Sequence, residues 1–470
     1  MLLQSMPKIF QKISFQKKFP QTLPYSLRGR LWLLVLKIFF GFFRILKGKK
    51  WQVPLTNFEE NPPFCSREYI FYLGYKYYFQ TPTYFPQTII EHFAKQKIQF
   101  AIPDGFEPQS TITLSAGGDL MPYAWIQKKY TQNLWDEVGD FFFKADIVFA
   151  NLETPIHLQK PTSFVPEVMI TDMLFNASSE MFEIFSGKPR FKGYDILSTA
   201  NNHSLDMGEE GICKTIEFLE SQKVAFTGTA RNWQERDNFP ILERKGIKIA
   251  FIAYTYSLNR EVLPKDKGYL VNYERLNLPD CNLERLRKDV ENAHKRGSDL
   301  VVLSLHTGNA YQMYPSEHTI QIFHRIFKEC GVDIILGSHP HNPQPMEKYE
   351  FICPFTLKKK QGFAIYSLAD FVAYDIFVWD RLIPMLKLHI TKGFWGKETH
   401  TQLSKVEVLP TYLWGSKKGK KELRFLNLER LISQIQKNEV PAFMSKKCIK
   451  EAMHLYELWQ KVNSIPLKMV

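Results

Sequence analysis

The sequence predicts an α/β protein whose central sheet is substantially parallel. From residue 111 onward, short runs of β-branched and apolar residues alternate with segments of helical periodicity. Runs such as residues 332–336 are almost continuously apolar, which is typical of strands that are covered on both faces. Each run then ends in a cluster of polar residues. Strands that alternate with helices in this way indicate parallel strands with helices packed outside them.

The α/β part of the chain contains seven predicted strands, at residues 111–119, 146–153, 194–203, 248–256, 299–308, 332–341 and 362–371. The clearest helices lie between them, at residues 208–223, 283–296 and 316–330. Loops and helix N-termini meet at the carboxyl ends of parallel strands, so functional residues gather there. The strand ends are therefore the place where a site is expected.

Length and composition predict one large domain with appendages. The chain has 470 residues, of which 44% are apolar and 14% aromatic, so it can bury a sizeable core and is not disordered. Four segments are predicted, namely a basic amphipathic arm (residues 1–50), a strap rich in aromatic residues and proline (51–110), the α/β domain (111–412) and a helical C-terminal extension (413–470). The strap shows no sustained helical or strand period, and we expect it to pack over the α/β domain.

Most of the formal net charge of +13 lies in the arm, which has eleven basic residues and no acidic residue. Residues 31–46 are apolar apart from one glycine and two cations, and Arg30, Lys37 and Arg44 fall on one stripe of a helix because they are spaced by seven. This pattern favours a helix that lies in a membrane interface. A signal-anchor helix and a soluble helix packed on the domain are the alternatives.

The arm therefore predicts a membrane surface as a partner, bound through residues 28–50. Nucleic acid is not expected as a partner, because the cations of the arm are interleaved with an apolar face and the rest of the chain is nearly neutral. We expect the protein to be associated with a membrane, on a side that the sequence does not reveal.

Carboxylate, asparagine and histidine side chains follow five successive predicted strands. Each has an ordinary explanation when taken alone, such as a helix N-cap, a turn residue or a core histidine. The repetition of such side chains at the ends of several strands predicts a shared site. The residues concerned are Asp119, Asn151, Glu153, Asn201, Asn202, His203, His306, His339 and His341.

Carboxylate and amide oxygens combined with imidazoles form a mixed set of metal ligands. This set suits Mn, Fe or Zn ions better than Ca²⁺ or Mg²⁺, which prefer shells made of oxygen. His339 and His341 flank Pro340, so both imidazoles can face one side of an extended loop. Each could then bind a different one of two ions about 3.5–4 Å apart. The sequence therefore predicts two divalent metal ions as cofactors.

The same motifs, in this order, resemble those of a known family. They are GD at residues 118–119, ANLE at 150–153, ANNHSLDMG at 200–208, LHTG at 305–308, GSHPHNPQPME at 337–347 and YSLADFV at 366–372. The sequence resembles the poly-γ-glutamate capsule-synthesis (CapA-type) family within the calcineurin-like metallophosphoesterase superfamily. The resemblance covers approximately residues 111–390.

This resemblance implies a four-layer α/β/β/α sandwich that carries a dinuclear metal centre. By motif position, Asp119 and His341 would bind the first ion. Asn202, His306 and His339 would bind the second ion, and Glu153 would bridge the two.

The resemblance also implies a catalytic role for His203, as an acid or as a substrate-contacting imidazole, with Asp206 orienting it. The expected function is that of a membrane-associated, metal-dependent hydrolase of phosphoester or γ-glutamyl amide bonds. It would act on or handle an anionic capsule or surface polymer such as poly-γ-glutamate, in the bacterial cell envelope or at the cytoplasmic face. The alternative is a non-catalytic assembly or export component that works with membrane partners of polymer synthesis.

Several positions depart from the family pattern around these ligands. The superfamily's Asp-x-His motif keeps only its aspartate here. The family's Trp and Glu after the strand-end histidine are replaced. The first His of its GHHPH motif and the Gly-Asn of its YSLGNF motif are replaced as well. The residues found there are Leu120, Met121, Thr307, Ala310, Ser338, Ala369 and Asp370. Changes around metal ligands often lower activity more than folding, so these substitutions favour the non-catalytic alternative.

Overall fold

The computed structural model describes residues 26–47, 50–79, 85–168, 173–416 and 421–463, and these residues form two stacked β-sheets with helices outside them. The strands are β1 (Phe106–Leu120), β2 (Ile147–Leu152), β3 (Ile196–Ser198), β4 (Ala225–Thr227), β5 (Ile241–Arg244), β6 (Ile247–Thr255), β7 (Leu300–His306), β8 (Ile334–Ser338), β9 (Pro343–Ile352), β10 (Lys359–Leu368), β11 (Leu382–Trp395), β12 (Glu398–Ser416) and β13 (Glu422–Asn427).

The described helices are α1 (Leu27–Lys47), α2 (Arg67–Phe79), α3 (Gln87–Ala94), α4 (Gly139–Phe143), α5 (Ser179–Phe185), α6 (Gly208–Ser221), α7 (Trp233–Asp237), α8 (Glu284–Lys295), α9 (Glu317–Arg325), α10 (Leu428–Gln436) and α11 (Lys446–Val462). Residues 326–330 continue α9 as a short π-helical turn.

The first sheet has seven strands in the order β13-β12-β11-β1-β2-β3-β4, and the second has six in the order β5-β6-β7-β8-β10-β9. Strands β1 to β4 run parallel to one another, and so do β6, β7, β8 and β10. Strands β11, β12 and β13 extend the first sheet by antiparallel pairing beside β1. Strands β5 and β9 pair antiparallel with β6 and β10 at the two edges of the second sheet. All seven strands predicted from the sequence are present.

Strand β6 illustrates why the sheets stack in layers. Ile247, Ile249 and Phe251 alternate with Ala250 and Ile252, and both sets are buried. The first set packs in the core between the two sheets, whereas the second packs in a separate core with the helices outside. A strand with two apolar faces needs cover on both sides, so the expected α/β sandwich with outer helix layers is confirmed.

The strap contains two helices that its composition did not predict. Helix α2 buries side chains around nearly its whole circumference, because it lies between α1 on one side and the α/β domain on the other. Phe40 of α1 stacks on Tyr78 of α2, with ring centroids 5.3 Å apart. A helix that is apolar all round has no amphipathic period to detect, which is why the sequence showed none.

The C-terminal segment contributes strands as well as the expected helices. The boundary drawn at residue 412 falls inside β12, and β13 adds an edge strand to the seven-stranded sheet. Leu423 and Phe425 on β13 are buried in the apolar core that this sheet forms with its helices. Helices α10 and α11 then follow. The lysine-rich turn at residues 417–420 lies outside the described residues.

Helix α1 is the main part of the arm that the structure describes, and residues 1–25 lie outside the described residues. Leu33 and Phe40 are buried on α2 and its neighbours, while ten large apolar side chains of α1 are exposed. They are Leu27, Leu31, Trp32, Leu34, Val35, Ile38, Phe39, Phe42, Ile45 and Leu46. Within the described part of the chain, no helix is both long enough and apolar enough to cross a membrane.

Candidate metal centre

The carboxyl ends of parallel strands from both sheets meet at one edge of the sandwich, and the eight residues given ligand or catalytic roles from the sequence lie there. Backbone hydrogen bonds join the two sheets at this point, since the Asp119 N–H donates to the Ala369 carbonyl (3.0 Å) and the Phe371 N–H donates to the Asp119 carbonyl (2.8 Å). This approach requires Gly118, because a Cβ there would lie 1.8 Å from the Ala369 oxygen. Seven of the eight residues are buried, and His341 is partly exposed.

Asp119, Glu153 and His341 form the first group of potential ligands. One ligand atom from each residue lies within 4.8 Å of the others. The side-chain amide of Asn151 donates to Asp119 Oδ1 at 2.8 Å and so fixes the position of that carboxylate.

Asn202, His306 and His339 form the second group, and Glu153 lies between the two groups. His306 Nε2 is 2.9 Å from Asn202 Oδ1 and 3.7 Å from Glu153 Oε1. The rings of His306 and His339 have centroids 5.1 Å apart, and those of His339 and His341 are 5.8 Å apart. The structure therefore brings all six sequence-predicted ligands together.

Several buried polar atoms of this cluster have no hydrogen-bond partner among the described residues. Neither carboxylate oxygen of Glu153 accepts a hydrogen bond from an N–H or hydroxyl group, and His339 Nδ1 and Asp370 Oδ2 are also unpartnered. A buried polar atom left in this way costs about 1–3 kcal/mol. Because the atoms are a metal ligand set of carboxylate oxygen and imidazole nitrogen, bound cations would satisfy them. The residues present fit a metal centre.

The raised pKa values of the carboxylates in the cluster also fit a cation site. Burial raises the pKa of Asp119, and burial together with the neighbouring Asp119 carboxylate raises the pKa of Glu153 well above its usual value. Burial also raises the pKa of Asp370, and Asp119 and Asp375 reinforce this although His341 opposes it. Carboxylates packed together without solvent resist ionisation, and nearby cations would reverse this tendency.

Three imidazoles of the site each contact one carboxylate. The pairs are His203 Nδ1 with Asp206 Oδ2 (2.7 Å), His341 Nδ1 with Asp370 Oδ1 (2.9 Å), and His339 Nε2 with Glu59 Oε1 (3.1 Å). An ionised carboxylate only accepts hydrogen bonds, so the contacting ring nitrogen carries the proton. When these rings are neutral, the lone pair is on Nε2 of His203 and His341 and on Nδ1 of His339. Carboxylates orient metal-binding histidines in the same way.

Glu59 is the functional residue that the sequence did not reveal. It lies in the strap, outside every motif, and it is buried. Its carboxylate accepts hydrogen bonds from the hydroxyl groups of Tyr69 (2.7 Å) and Tyr256 (2.9 Å) and from the Ala310 N–H (3.1 Å). The only available signal was indirect: Ala310 stands where the family has a glutamate, so a carboxylate was missing there.

Two of the other positions that depart from the family pattern also contact the site. Ser338 Oγ is 2.9 Å from His306 Nδ1, and Asp370 forms the pair with His341 already described. The backbone next to both positions is strained, since φ is 96° at His339, 66° at His341 and 62° at Ala369. Residues other than glycine seldom adopt positive φ values unless the surrounding structure enforces them.

The chain is similar to several known proteins. The chain is 24% identical to the capsule biosynthesis protein CapA of Bacillus anthracis over 59% of its own length and 63% of that protein's length. It is 23% identical to the PGA biosynthesis protein CapA of Bacillus subtilis, over 64% of this chain and 73% of that one. It thus spans less than two thirds of the first of these relatives. A crystal structure of a hypothetical protein from Thermus thermophilus aligns with 64% of this chain and 99% of its own, at 13% identity and a TM-score of 0.34.

The model of one family covers the predicted strands and the whole candidate centre. The family described as bacterial capsule synthesis protein PGA_cap matches residues 113–375. This range includes all eight residues given roles from the sequence but not Glu59. The two CapA relatives are likewise named as capsule or PGA biosynthesis proteins. Because the family match spans more than half of the chain, the protein belongs to the PGA_cap family of bacterial capsule synthesis proteins, as its motifs predicted.

Proposed function

We propose that this protein is a metal-dependent hydrolase that acts on an anionic capsule or surface polymer, such as poly-γ-glutamate, at a membrane. The observation that carries the proposal is the unpartnered carboxylate of Glu153, buried between two groups of potential ligands. The family places the chain in capsule or poly-γ-glutamate biosynthesis. The bond cleaved and the metal dependence are parts of the proposal.

The residues that would hold cations follow from the geometry described above. Asp119 and His341 would bind one cation, Asn202, His306 and His339 would bind a second, and Glu153 would serve both. Mixed oxygen and nitrogen ligands favour Mn, Fe or Zn. Such a centre supplies polarisation of the scissile group and a nucleophilic water at neutral pH.

His203 is positioned to handle the proton of the leaving group. Its ring stacks on Phe175 with centroids 3.9 Å apart, and Asp206 Oδ2 accepts hydrogen bonds both from the ring and from the Phe175 backbone (2.6 Å). Asp206 therefore fixes the orientation of the ring. Once protonated, His203 can donate its Nε2 proton to a leaving oxygen or nitrogen. The same arrangement serves a phosphoester or a γ-glutamyl amide.

The alternative function is a non-catalytic component of polymer assembly or export, and the substituted positions were its main support. Three observations weigh against it. Ser338 contacts His306, Asp370 contacts His341, and Glu59 accepts a hydrogen bond from the Ala310 backbone while contacting His339. Side chains that position the histidines are thus retained although their identities differ from the family pattern. This favours hydrolysis as the leading proposal.

Membrane association is proposed from helix α1. One face of this helix packs on α2, whereas apolar side chains such as Ile38 (68% exposed) and Phe42 (61%) are solvent-exposed. An apolar helical face with basic residues beside it suits insertion at the level of anionic lipid headgroups. We propose that the polymer is handled at that surface, where membrane-bound polymer-synthesis partners would also lie.

Removing divalent cations should destabilise the protein more at pH 8 than at pH 6.5. Burial lowers the pKa of His341, but Asp370 outweighs this and raises it to about 8. The cation-free folded state thus holds a proton that an unfolded histidine, with a pKa of about 6.5, has lost, and this stabilisation disappears as the pH rises through about 8. Cation binding needs deprotonated ligands and removes this dependence.

Thermal unfolding with and without a chelator at both pH values, together with elemental analysis, measures this effect. The expected extra loss at the higher pH is about 1 kcal/mol, because part of the His341 stabilisation still remains at pH 8. Glu153→Gln is the matched control, because it removes the shared carboxylate without changing its size. A wild type that contains no Mn, Fe or Zn, and that responds to the chelator as Glu153→Gln does, contradicts the metal centre.

Replacing His203 by alanine should lower hydrolysis by about 10²–10⁴-fold without changing metal content, because the leaving group loses its proton donor. γ-Glutamyl-p-nitroanilide, whose leaving nitrogen must be protonated, tests the proton donor, and bis(p-nitrophenyl) phosphate, whose p-nitrophenolate leaves as an anion, tests turnover that does not need it; both are assayed with and without added Mn²⁺. His400→Ala, a histidine on β12, serves as the control. If neither probe is turned over by the wild type, the non-catalytic function replaces the hydrolase. If His203→Ala is as active as the wild type, His203 is not the proton donor.

Replacing Glu59 by glutamine should weaken metal binding by about 10–100-fold, because a glutamine no longer fixes the tautomer of His339. Competition against a coloured chelator measures the affinity. Glu60→Gln is the control, since Glu60 is adjacent in sequence but pairs with Arg275. Equal affinities for wild type and Glu59→Gln would show that Glu59 only packs the strap.

Introducing charge on the exposed face of α1, as Ile38→Glu with Phe42→Glu, should weaken binding to vesicles of phosphatidylcholine and phosphatidylglycerol more than 10-fold. Each buried apolar side chain contributes about 1.5–3 kcal/mol, and about 1.4 kcal/mol is a factor of ten. Vesicle co-sedimentation measures this, with Val262→Glu as the control because Val262 is 82% exposed on the body of the protein. Wild type that does not sediment with vesicles would refute membrane attachment through α1.

A further inference from the structure

A second cluster of potential metal ligands joins the strap to the α/β domain. It consists of His92 on α3, His324 on α9 and Glu347 on β9, and one ligand atom of each lies within 4.8 Å of the others. None of the three belongs to the metal centre described above. His92 lies outside the range that the family model matches.

The two imidazoles converge on one carboxylate. His92 Nε2 is 2.9 Å from Glu347 Oε1, and His324 Nε2 is 3.1 Å from Oε1 and 3.0 Å from Oε2. In a tetrahedral zinc shell with bonds of about 2.0–2.1 Å, neighbouring ligand atoms are about 3.3 Å apart. Each imidazole therefore lies at nearly the separation from the carboxylate that a zinc ion requires, and the ligand atoms of the two imidazoles lie within 4.8 Å of each other.

The surroundings hold these side chains in place. The Tyr366 hydroxyl donates to Glu347 Oε2 at 2.6 Å, and the Gln96 amide donates to Oε1 at 3.3 Å. The His324 ring stacks on Tyr349 with centroids 4.0 Å apart. Preorganised ligands lose little conformational entropy on binding, which favours affinity.

Access and charge also suit a cation. The side chains of His92 and His324 are 33% and 22% exposed, whereas that of Glu347 is 2% exposed. Solvent can therefore reach the imidazoles and supply a fourth ligand. Glu347 is the acidic ligand of the three and supplies the negative charge that a cation needs.

We propose that His92, His324 and Glu347 bind one zinc ion, which fastens helix α3 of the strap to the α/β domain. Two imidazoles and one carboxylate are a recognised protein ligand set for zinc. The elements that supply them are distant in sequence, so a bound ion would cross-link the strap to both α9 and β9. This site is independent of the proposed hydrolase activity.

The test compares full-length proteins that differ only in this cluster. Glu153→Gln provides the background, and His92→Gln or His324→Gln is added to it, because glutamine can keep a hydrogen bond to Glu347 while being a poor zinc ligand. After dialysis against zinc, elemental analysis should show about one ion per chain fewer in each double variant. The zinc affinity of this site should fall at least about 100-fold. His400→Ala in the same background should leave zinc content unchanged.

Thermal unfolding gives a second measurement. Zinc should raise the unfolding temperature of the Glu153→Gln protein, and this rise should be lost in both double variants. If the zinc content and the zinc-dependent rise are the same with and without His92 and His324, the cluster is only a hydrogen-bonded contact and the proposal is overturned. If the wild type holds a single zinc that depends on His92 but not on Glu153, this site stands and the dinuclear centre fails.

Discussion

The candidate centre depends on the join between the two sheets at their carboxyl edges. Backbone hydrogen bonds between Asp119 and residues 369–371 bring the end of β1 against the segment that follows β10. Side chains from parallel strands of both sheets are thereby directed into one volume from which solvent is largely excluded. The raised pKa values of Asp119, Glu153 and Asp370 are the electrostatic consequence of that closeness.

Much of the fold could be predicted because its causes are local. Strands with two apolar faces, such as β6 and β7, appear as nearly continuous apolar runs. The polar ends of β1, β7 and β8 identify Asp119, His306 and His339 as neighbours. The strap could not be predicted in the same way. Helix α2 is buried on nearly all sides, so its sequence lacks the amphipathic period by which helices are recognised.

The histidine partners show where sequence reasoning stops. Asp206 is three residues from His203, so that pair could be proposed from the sequence alone. Asp370 and Glu59 pair with His341 and His339 across long stretches of chain, and only the three-dimensional structure brings them together. Two substitutions that suggested a degraded site when read singly still have a polar contact: Ser338 itself contacts His306, and Glu59 accepts a hydrogen bond from the Ala310 backbone. Residue identity at one position is therefore a poor guide when a distant side chain supplies the same interaction.

The pairing of Glu59 with His339 also constrains the order in which the protein can mature. The two residues are separated by 280 positions. Glu59 is synthesised early, but its partner emerges from the ribosome only after most of the chain. Contacts of such high contact order form late and slowly, because the intervening loop must first be closed. The contact that orients the His339 ring therefore cannot form until residue 339 has been synthesised and the strap lies against the α/β domain.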